Sequence, residues 1–277
     1  MHYINKSLDL CRGGIYNCLY LQSKNGGDFL KIGMTSLTLK NESIINVVKI
    51  AKEAGIEGIE WGVSDTHMKL CDKKSAEEIK KASSEYGVEI FSLGSYCYME
   101  SKEECDDAIE TAVLLGTSII RIWAGKFPPY ECDDEYRNNI ISNTIYMADK
   151  AKQYNIILGF EYHPWTLTET ADDALALIAD INRDNVGLYW QPSDTISTEE
   201  NVRDRNRVMP HCVGNIHIQN YSAEKGFQNL SLVEEELKQF FDDIKNEDYR
   251  VMIEFVKDGS VENLFDDACT LKKIIGN

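Results

Sequence analysis

Eight short runs of apolar and β-branched residues, most of them followed by a segment with helical spacing, constrain this chain more than any other feature. The runs are FLKIGMTSL (29–37), GIEGIEWG (55–62), VEIFSLGSY (88–96), SIIRIWAG (118–125), IILGFEYH (156–163), VGLYWQP (186–192), VGNIHIQN (213–220) and YRVMIEFV (249–256). Between them, SIINVVKIAKEAG, SAEEIKKASSEYG, SKEECDDAIETAVLLG and LSLVEEELKQFFDDIKN repeat apolar residues at three- and four-residue spacing, which lines one helix face. Cap signals open these helices at Asn41 or Ser43, at Ser75 with Glu78, and at Ser101 with Glu104. Gly55, Gly87 and Gly116 close them, where a left-handed residue ends a helix.

Eight strand–helix units are the signature of an α/β fold of the closed parallel kind, a single (β/α)8 TIM barrel. An open doubly wound sheet usually has fewer strands and a glycine-rich phosphate turn after the first, and neither GxGxxG nor GxxxxGK[ST] occurs here. The sixth helix, about 198–210, carries the weakest pattern. Residues 1–28 stand outside the alternation and are expected to form an N-terminal extension to a barrel domain at 29–277.

The 277 residues carry a net charge of −17, which repels phosphate backbones and argues against a nucleic-acid partner. The basic cluster from Arg203 to Arg207 is interleaved with Asp204 and reads as a solvated helix face. No apolar run approaches the roughly 20 residues of a membrane helix, and the opening residues lack a signal-peptide pattern. A cytoplasmic protein with no membrane partner is expected, with a homodimer or homotetramer as the candidate assembly. The eight cysteines, at 11, 18, 71, 97, 105, 132, 212 and 269, form no CxxC pair and read as reduced thiols.

In a parallel barrel the active site lies at the C-terminal ends of the strands, so the polar residues there carry the functional argument. Strand 2 ends in Glu60 and Trp61, followed by His67; strand 4 carries Arg121 and Trp123; strand 5, Glu161 and His163. Strand 6 ends at Trp190 and Gln191, strand 7 carries His217 and Gln219, and strand 8 carries Glu254, then Lys257. An inward acid is costly unless paired or metal-bound. Glu161, His217 and Glu254 can therefore converge on one divalent cation, with Gln191 closing the ring; such donors suit Mn²⁺, Mg²⁺, Co²⁺ or Zn²⁺.

GIEGIEWGVSDTH, FSLGSY, IIRIWAG, LGFEYHPWTLTET, YWQP, NIHIQNY and MIEFV, in this order on successive strands, resemble the sugar-phosphate isomerase/epimerase-like family of the xylose isomerase-like superfamily, over about 29–275. The resemblance implies a metal held by Glu161, the residue at 191, His217 and Glu254, with Glu161 and Glu254 also moving a proton. Gln191 stands where that family usually has Asp. The expected activity is a metal-assisted isomerase or epimerase acting on a sugar, cyclitol or sugar phosphate through an enediolate. A dehydratase of the inosose type and a non-catalytic sugar-binding barrel are the alternatives. Trp61, His67, Arg121, Trp123, His163, Trp190 and Lys257 are the candidate substrate contacts.

Each residue also has a structural reading. Glu161 and Glu254 would form a buried ion pair with Arg121 or Lys257. His217 would be a satisfied core histidine, Gln191 an amide bonded to backbone at a strand end, and His67 and His163 surface or supporting residues. Arg121 would neutralise an acid rather than bind a sugar oxygen or phosphate, and the tryptophans would pack the barrel top.

Overall fold

The computed structural model describes residues 30–244 and 248–276. The expected extension at 1–28 lies outside the described residues. Eight parallel strands close a barrel in the order β1 (Lys31–Thr35), β2 (Gly58–Gly62), β3 (Glu89–Gly94), β4 (Ile119–Ile122), β5 (Ile157–Glu161), β6 (Val186–Trp190), β7 (Cys212–Ile218) and β10 (Arg250–Ile253), with β10 returning to β1. The expected (β/α)8 architecture is the observed one. Eight helices surround it: α1 (Ile44–Glu53), α2 (Lys73–Tyr86), α3 (Lys102–Leu115), α4 (Asp134–Ala151), α5 (Ala171–Ile181), α6 (Thr198–Val208), α7 (Glu234–Phe241) and α8 (Val261–Ile275). Among the described residues no helix is long and apolar enough to cross a membrane.

The caps follow local chemistry. Ser43 and Ser101 accept the backbone N–H groups of Asn46 and Glu104. The cap of α2 is Asp72 rather than Ser75; its carboxylate accepts both the backbone N–H and the hydroxyl of Ser75. Gly87 and Gly116 close α2 and α3 in the left-handed conformation. Helix α6, strongly polar in composition, is secured by a capping box between Ser197 and Glu200. Its Arg205 is not solvated: it is fully buried, donates to the Phe240 carbonyl and pairs with Asp243 at 2.5 Å, tying α6 to the end of α7.

One element has no counterpart in the strand–helix count. Chain continues past β7 into an antiparallel hairpin, β8 (Asn220–Ser222) and β9 (Gly226–Gln228), so the expected strand 213–220 is two elements. Phe227 of the hairpin packs on Phe255 beyond β10, 5.0 Å between ring centroids. Six cysteines fall among the described residues and all are free thiols, as expected.

A large apolar layer fills the space between strands and helices, and a smaller cluster of Phe91, Ile119, Tyr189, Val213 and Met252 plugs the barrel interior. One buried acid interrupts the outer layer. Asp267 of α8 accepts the Leu230 N–H at 2.7 Å, while its second oxygen has no partner among the described residues. Burial pushes this carboxyl up to about 6, partly offset by the Leu230 N–H. An acid whose folded value is raised binds its proton more tightly folded than unfolded, so it costs stability as pH climbs from about 4 through 6. Asp267→Asn keeps an acceptor and removes the charge. It is expected to gain about 1–3 kcal/mol at pH 8 and almost nothing at pH 4, read by thermal unfolding. Equal gains at both pH values would remove the charge from the explanation.

Candidate active site

Side chains alternate along a strand, and those turned inward at the C-terminal rim are charged. Glu60 is the middle residue of β2, between β1 and β3, Arg121 stands on β4, Glu161 closes β5, His217 lies on β7, and Glu254 follows β10 directly. The first four are at most 3% exposed, and the Glu254 side chain is 12% exposed. Arg121 sits between two carboxylates: its Nε donates to Glu60 Oε1 at 2.7 Å, and its Nη1 donates to Glu161 Oε2. His217 is flanked by three, with Nε2 at 3.4 Å from Glu60 Oε1 and Nδ1 at 3.5 Å from Glu161 Oε1 and 3.8 Å from Glu254 Oε1.

Space for the guanidinium depends on Gly94, the last residue of β3. A Cβ there would stand 2.8 Å from Arg121 Nη2 and 3.0 Å from Glu60 Oε1. Beneath the charges lies a hydrogen-bonded floor. Ser92 donates to Glu60 Oε2 at 2.8 Å, and the Asn215 amide reaches Ser92 Oγ and the Tyr189 hydroxyl at 3.2 and 2.7 Å. Under that floor is the apolar plug.

The cluster sets its own protonation. Burial alone would raise the Glu60 carboxyl, but Arg121 and then His217 outweigh it and bring it down to about 2. Glu161 is held well below the usual range against the same burial penalty, chiefly by Arg121. Burial would make His217 a weaker base, yet Glu60, Glu161 and Glu254 lift it to about 10. Glu254 moves the other way, pushed up to about 7 by burial and by Glu161 against the pull of His217 and Arg121.

These residues fit a divalent cation. One ligand atom from each of Glu161, His217 and Glu254 lies within 4.8 Å of the others. Glu161 Oε1 and both His217 nitrogens are buried with no aligned hydrogen bond, a rare condition for buried polar atoms that no ligand uses. Gln191 resolves into two halves. Its Nε2 donates to the Tyr162 carbonyl at 2.6 Å; a carbonyl only accepts, so the amide is oriented and its Oε1 is left as a buried acceptor without a partner among the described residues. The backbone-bonded amide of a strand end thus accounts for the nitrogen and leaves the oxygen for a ligand.

The other candidates divide by face. Trp123 shares the inward parity of Arg121, and its ring lies 4.3 Å from that of His163 at the mouth. Trp61, His67 and Trp190 are not brought to the cluster. Trp61 follows inward Glu60 and so faces the helices, fully buried, with the His67 ring edge-on at 5.8 Å. His67 is itself tied to the Glu42 carbonyl at 3.1 Å. Trp190 follows inward Tyr189 and packs edge-on against Phe240 of α7. Arg121 takes the neutralising role rather than an open substrate-facing one. Lys257 lies in a half-buried turn after β10, and no contact joins its side chain to the cluster among the described residues. Glu60, which is not one of the metal, catalytic or substrate candidates expected from the sequence, is a full member of the cluster. Its signal was a carboxylate at the inward parity of β2, facing an arginine at the inward parity of β4.

The family model for xylose isomerase-like TIM barrels matches residues 48–269. The chain belongs to this family. Among curated members of known function, this xylose isomerase-like barrel is similar to a 3-dehydroshikimate dehydratase of Bacillus anthracis, 22% identical over 169 residues, covering 57% of this chain and 60% of that one. It is also similar to a 2-oxo-tetronate isomerase of Haemophilus influenzae, 32% identical over 92 residues, covering 31% of this chain and 36% of that one. The matches thus span less than two thirds of either relative. In structure it is similar to the probable 3-DHS dehydratase of petrobactin synthesis from Bacillus anthracis, with a TM-score of 0.73 at 18% identity over 88% of this chain and 99% of the other. A D-allulose 3-epimerase from Methylomonas sp. in complex with D-allulose superposes with a TM-score of 0.66 at 17% identity, over 89% and 97%. These relatives are enzymes, and they divide between isomerases or epimerases and dehydratases.

Proposed function

We propose that this barrel is an enzyme that moves a proton beside a carbonyl group in a small hydroxylated substrate: a sugar, a cyclitol or a sugar phosphate. The observation that carries the reading is the meeting of two carboxylates on one imidazole, Glu161 and Glu254 at 3.5 and 3.8 Å from His217 Nδ1. Glu161, Gln191, His217 and Glu254 would hold a divalent cation, whose charge the two carboxylates balance. Such an ion, when bound, polarises a substrate carbonyl and the hydroxyl beside it.

The two acids have unequal freedom. Glu161 gives Oε2 to Arg121 and is kept ionised, so its first task is anchoring. Glu254 has no bond to Arg121, lies one residue beyond its strand and is the more open of the pair, so it takes the proton. Return of that proton to the neighbouring carbon makes an isomerase. Protonation of the same carbon on its opposite face, by Glu161 Oε1 once that carboxylate has itself taken up a proton from water, makes an epimerase. Loss of a hydroxyl from the next carbon makes a dehydratase, a second reading favoured by the similarity to 3-dehydroshikimate dehydratase.

The test is exchange of substrate protons in D₂O with Mn²⁺-supplied protein, across ketoses, aldoses, inososes and 3-dehydroshikimate, read by NMR. Deuterium next to a carbonyl, or water loss, in at least one compound is expected. No exchange across the panel, together with less than about a tenth of an equivalent of bound Mn²⁺, overturns the proposal, because a metal site of this kind must fill to work. The Gln191→Asp variant addresses the ligand set by itself. A third negative charge is expected to tighten Mn²⁺ binding about tenfold in calorimetry. Equal or weaker binding would place Gln191 outside the set.

A further inference from the structure

Beyond the charged cluster, a run of rings leads out of the barrel. Tyr96 lies over the Arg121 guanidinium at 5.2 Å from its ring centroid. Trp123 comes next, its centroid 6.0 Å from that of Tyr96 and 4.3 Å from that of His163, tilted 31° to the latter. Trp165 follows His163 at 5.7 Å and is 66% exposed. The track thus begins on the buried cation and ends in solvent.

Two features set these rings apart from ordinary packing. Tyr96 and Trp165 both have positive φ, 53° and 65°, a conformation that bulky residues avoid because it strains the backbone. Trp165 spends that strain on an indole that stays largely in water. In addition, Trp123 Nε1 is buried with no hydrogen-bond partner among the described residues; the indole N–H groups of Trp61 and Trp190 share that condition, but of the three only Trp123 lies at the barrel mouth, against His163. The other two tryptophans on strand ends, Trp61 and Trp190, are fully buried against the helices and take no part.

We infer that the Trp123–His163–Trp165 track is an outer subsite for a second ring, so that the substrate is a glycoside or similar ring-bearing conjugate rather than a free monosaccharide. This rests on the proposed function in placing the reacting group at the Glu161–His217–Glu254 cluster. Flat rings and sugar C–H faces stack on indoles, and the Trp123 N–H would meet an oxygen joining the two parts. The geometry is continuous with the cluster, which is why the occupant is an extension of the substrate and not a separate ligand.

The probes are phenyl β-D-glucoside and methyl β-D-glucoside, titrated by calorimetry into the whole protein, without turnover. Trp165→Asn is the variant, because Asn accepts the left-handed conformation and removes only the ring. The phenyl compound is expected to bind the wild type about three- to tenfold more tightly than the methyl compound, and the variant is expected to lose that preference. Equal affinities in the wild type, equal weakening of both probes in the variant, or no binding of the phenyl compound overturns the subsite. A ring preference that survives alongside both absent D₂O exchange and less than about a tenth of an equivalent of bound Mn²⁺ would leave the subsite standing and sink the proton-transfer reading instead.

Discussion

Replacing Arg121 by methionine is expected to cost the metal-free fold about 3–5 kcal/mol at pH 8, the usual consequence of stranding buried charge. The guanidinium is 3% exposed and bonded to two carboxylates that are themselves buried. Without it, Glu60 and Glu161 keep His217 as their main counter-charge. At about 2–4 °C per kcal/mol for a chain of this size, the melting temperature should fall by roughly 6–20 °C. The pH dependence follows from the sign of the shift. Glu60 is depressed from 4.5 to about 2, so its contribution is present above 4.5 and lost as pH falls through that window. In the variant the same carboxyl should titrate higher, so the deficit against wild type should shrink towards pH 4. A loss that stays constant from pH 8 to pH 4 would mean that packing, not charge, explains it. Adding Glu60→Gln to the variant should restore part of the stability, since one stranded charge is gone.

Glu254→Gln carries the largest expected effect on activity. Removing a positioned proton carrier typically costs 10²–10⁴-fold, and a drop of that order in kcat is expected on whichever substrate exchanges. The fold should survive, because among the described residues Glu254 makes no ion pair except with His217, and its backbone N–H donates to the Ile218 carbonyl whatever the side chain. Unchanged turnover would remove Glu254 from the chemistry. The companion Glu161→Gln should behave differently. It frees Arg121 from one partner, so it should lower stability and Mn²⁺ affinity as well as kcat.

Much of this was legible in the chain. The alternation identified the barrel because it must be complete for the sheet to close. The inward parity of Arg121, Glu161 and His217 was readable because a two-residue period leaves each side chain one face. The same period could have assigned Trp61 and Trp190: an inward Glu60 or Tyr189 forces its neighbour outward. Strand-end position alone, without parity, makes them look like mouth residues. Glu60 was passed over because its partner lies 61 residues away on β4, and only closure of the barrel brings them together. The β8–β9 hairpin hid inside an apparently continuous run, since VGNIHIQN keeps its β character across the break at Gln219. Arg205 looked solvated because neighbouring charges suggest water, whereas the Phe240 carbonyl and Asp243 that satisfy it come from the distant end of α7.

The floor of Ser92, Tyr189 and Asn215, with the apolar plug below it, makes the barrel a blind well. On the proposed function, whatever reaches Glu254 would arrive and depart through the barrel mouth formed by the described residues, so product would have to vacate before fresh substrate enters, and the two should compete for the same free protein. Protons share that doorway. On the proposed function, a proton taken up by Glu254 would be either handed back before the product leaves or traded with water entering past Trp123. The ratio of label retained to label lost therefore becomes a clock for how long the doorway stays occupied.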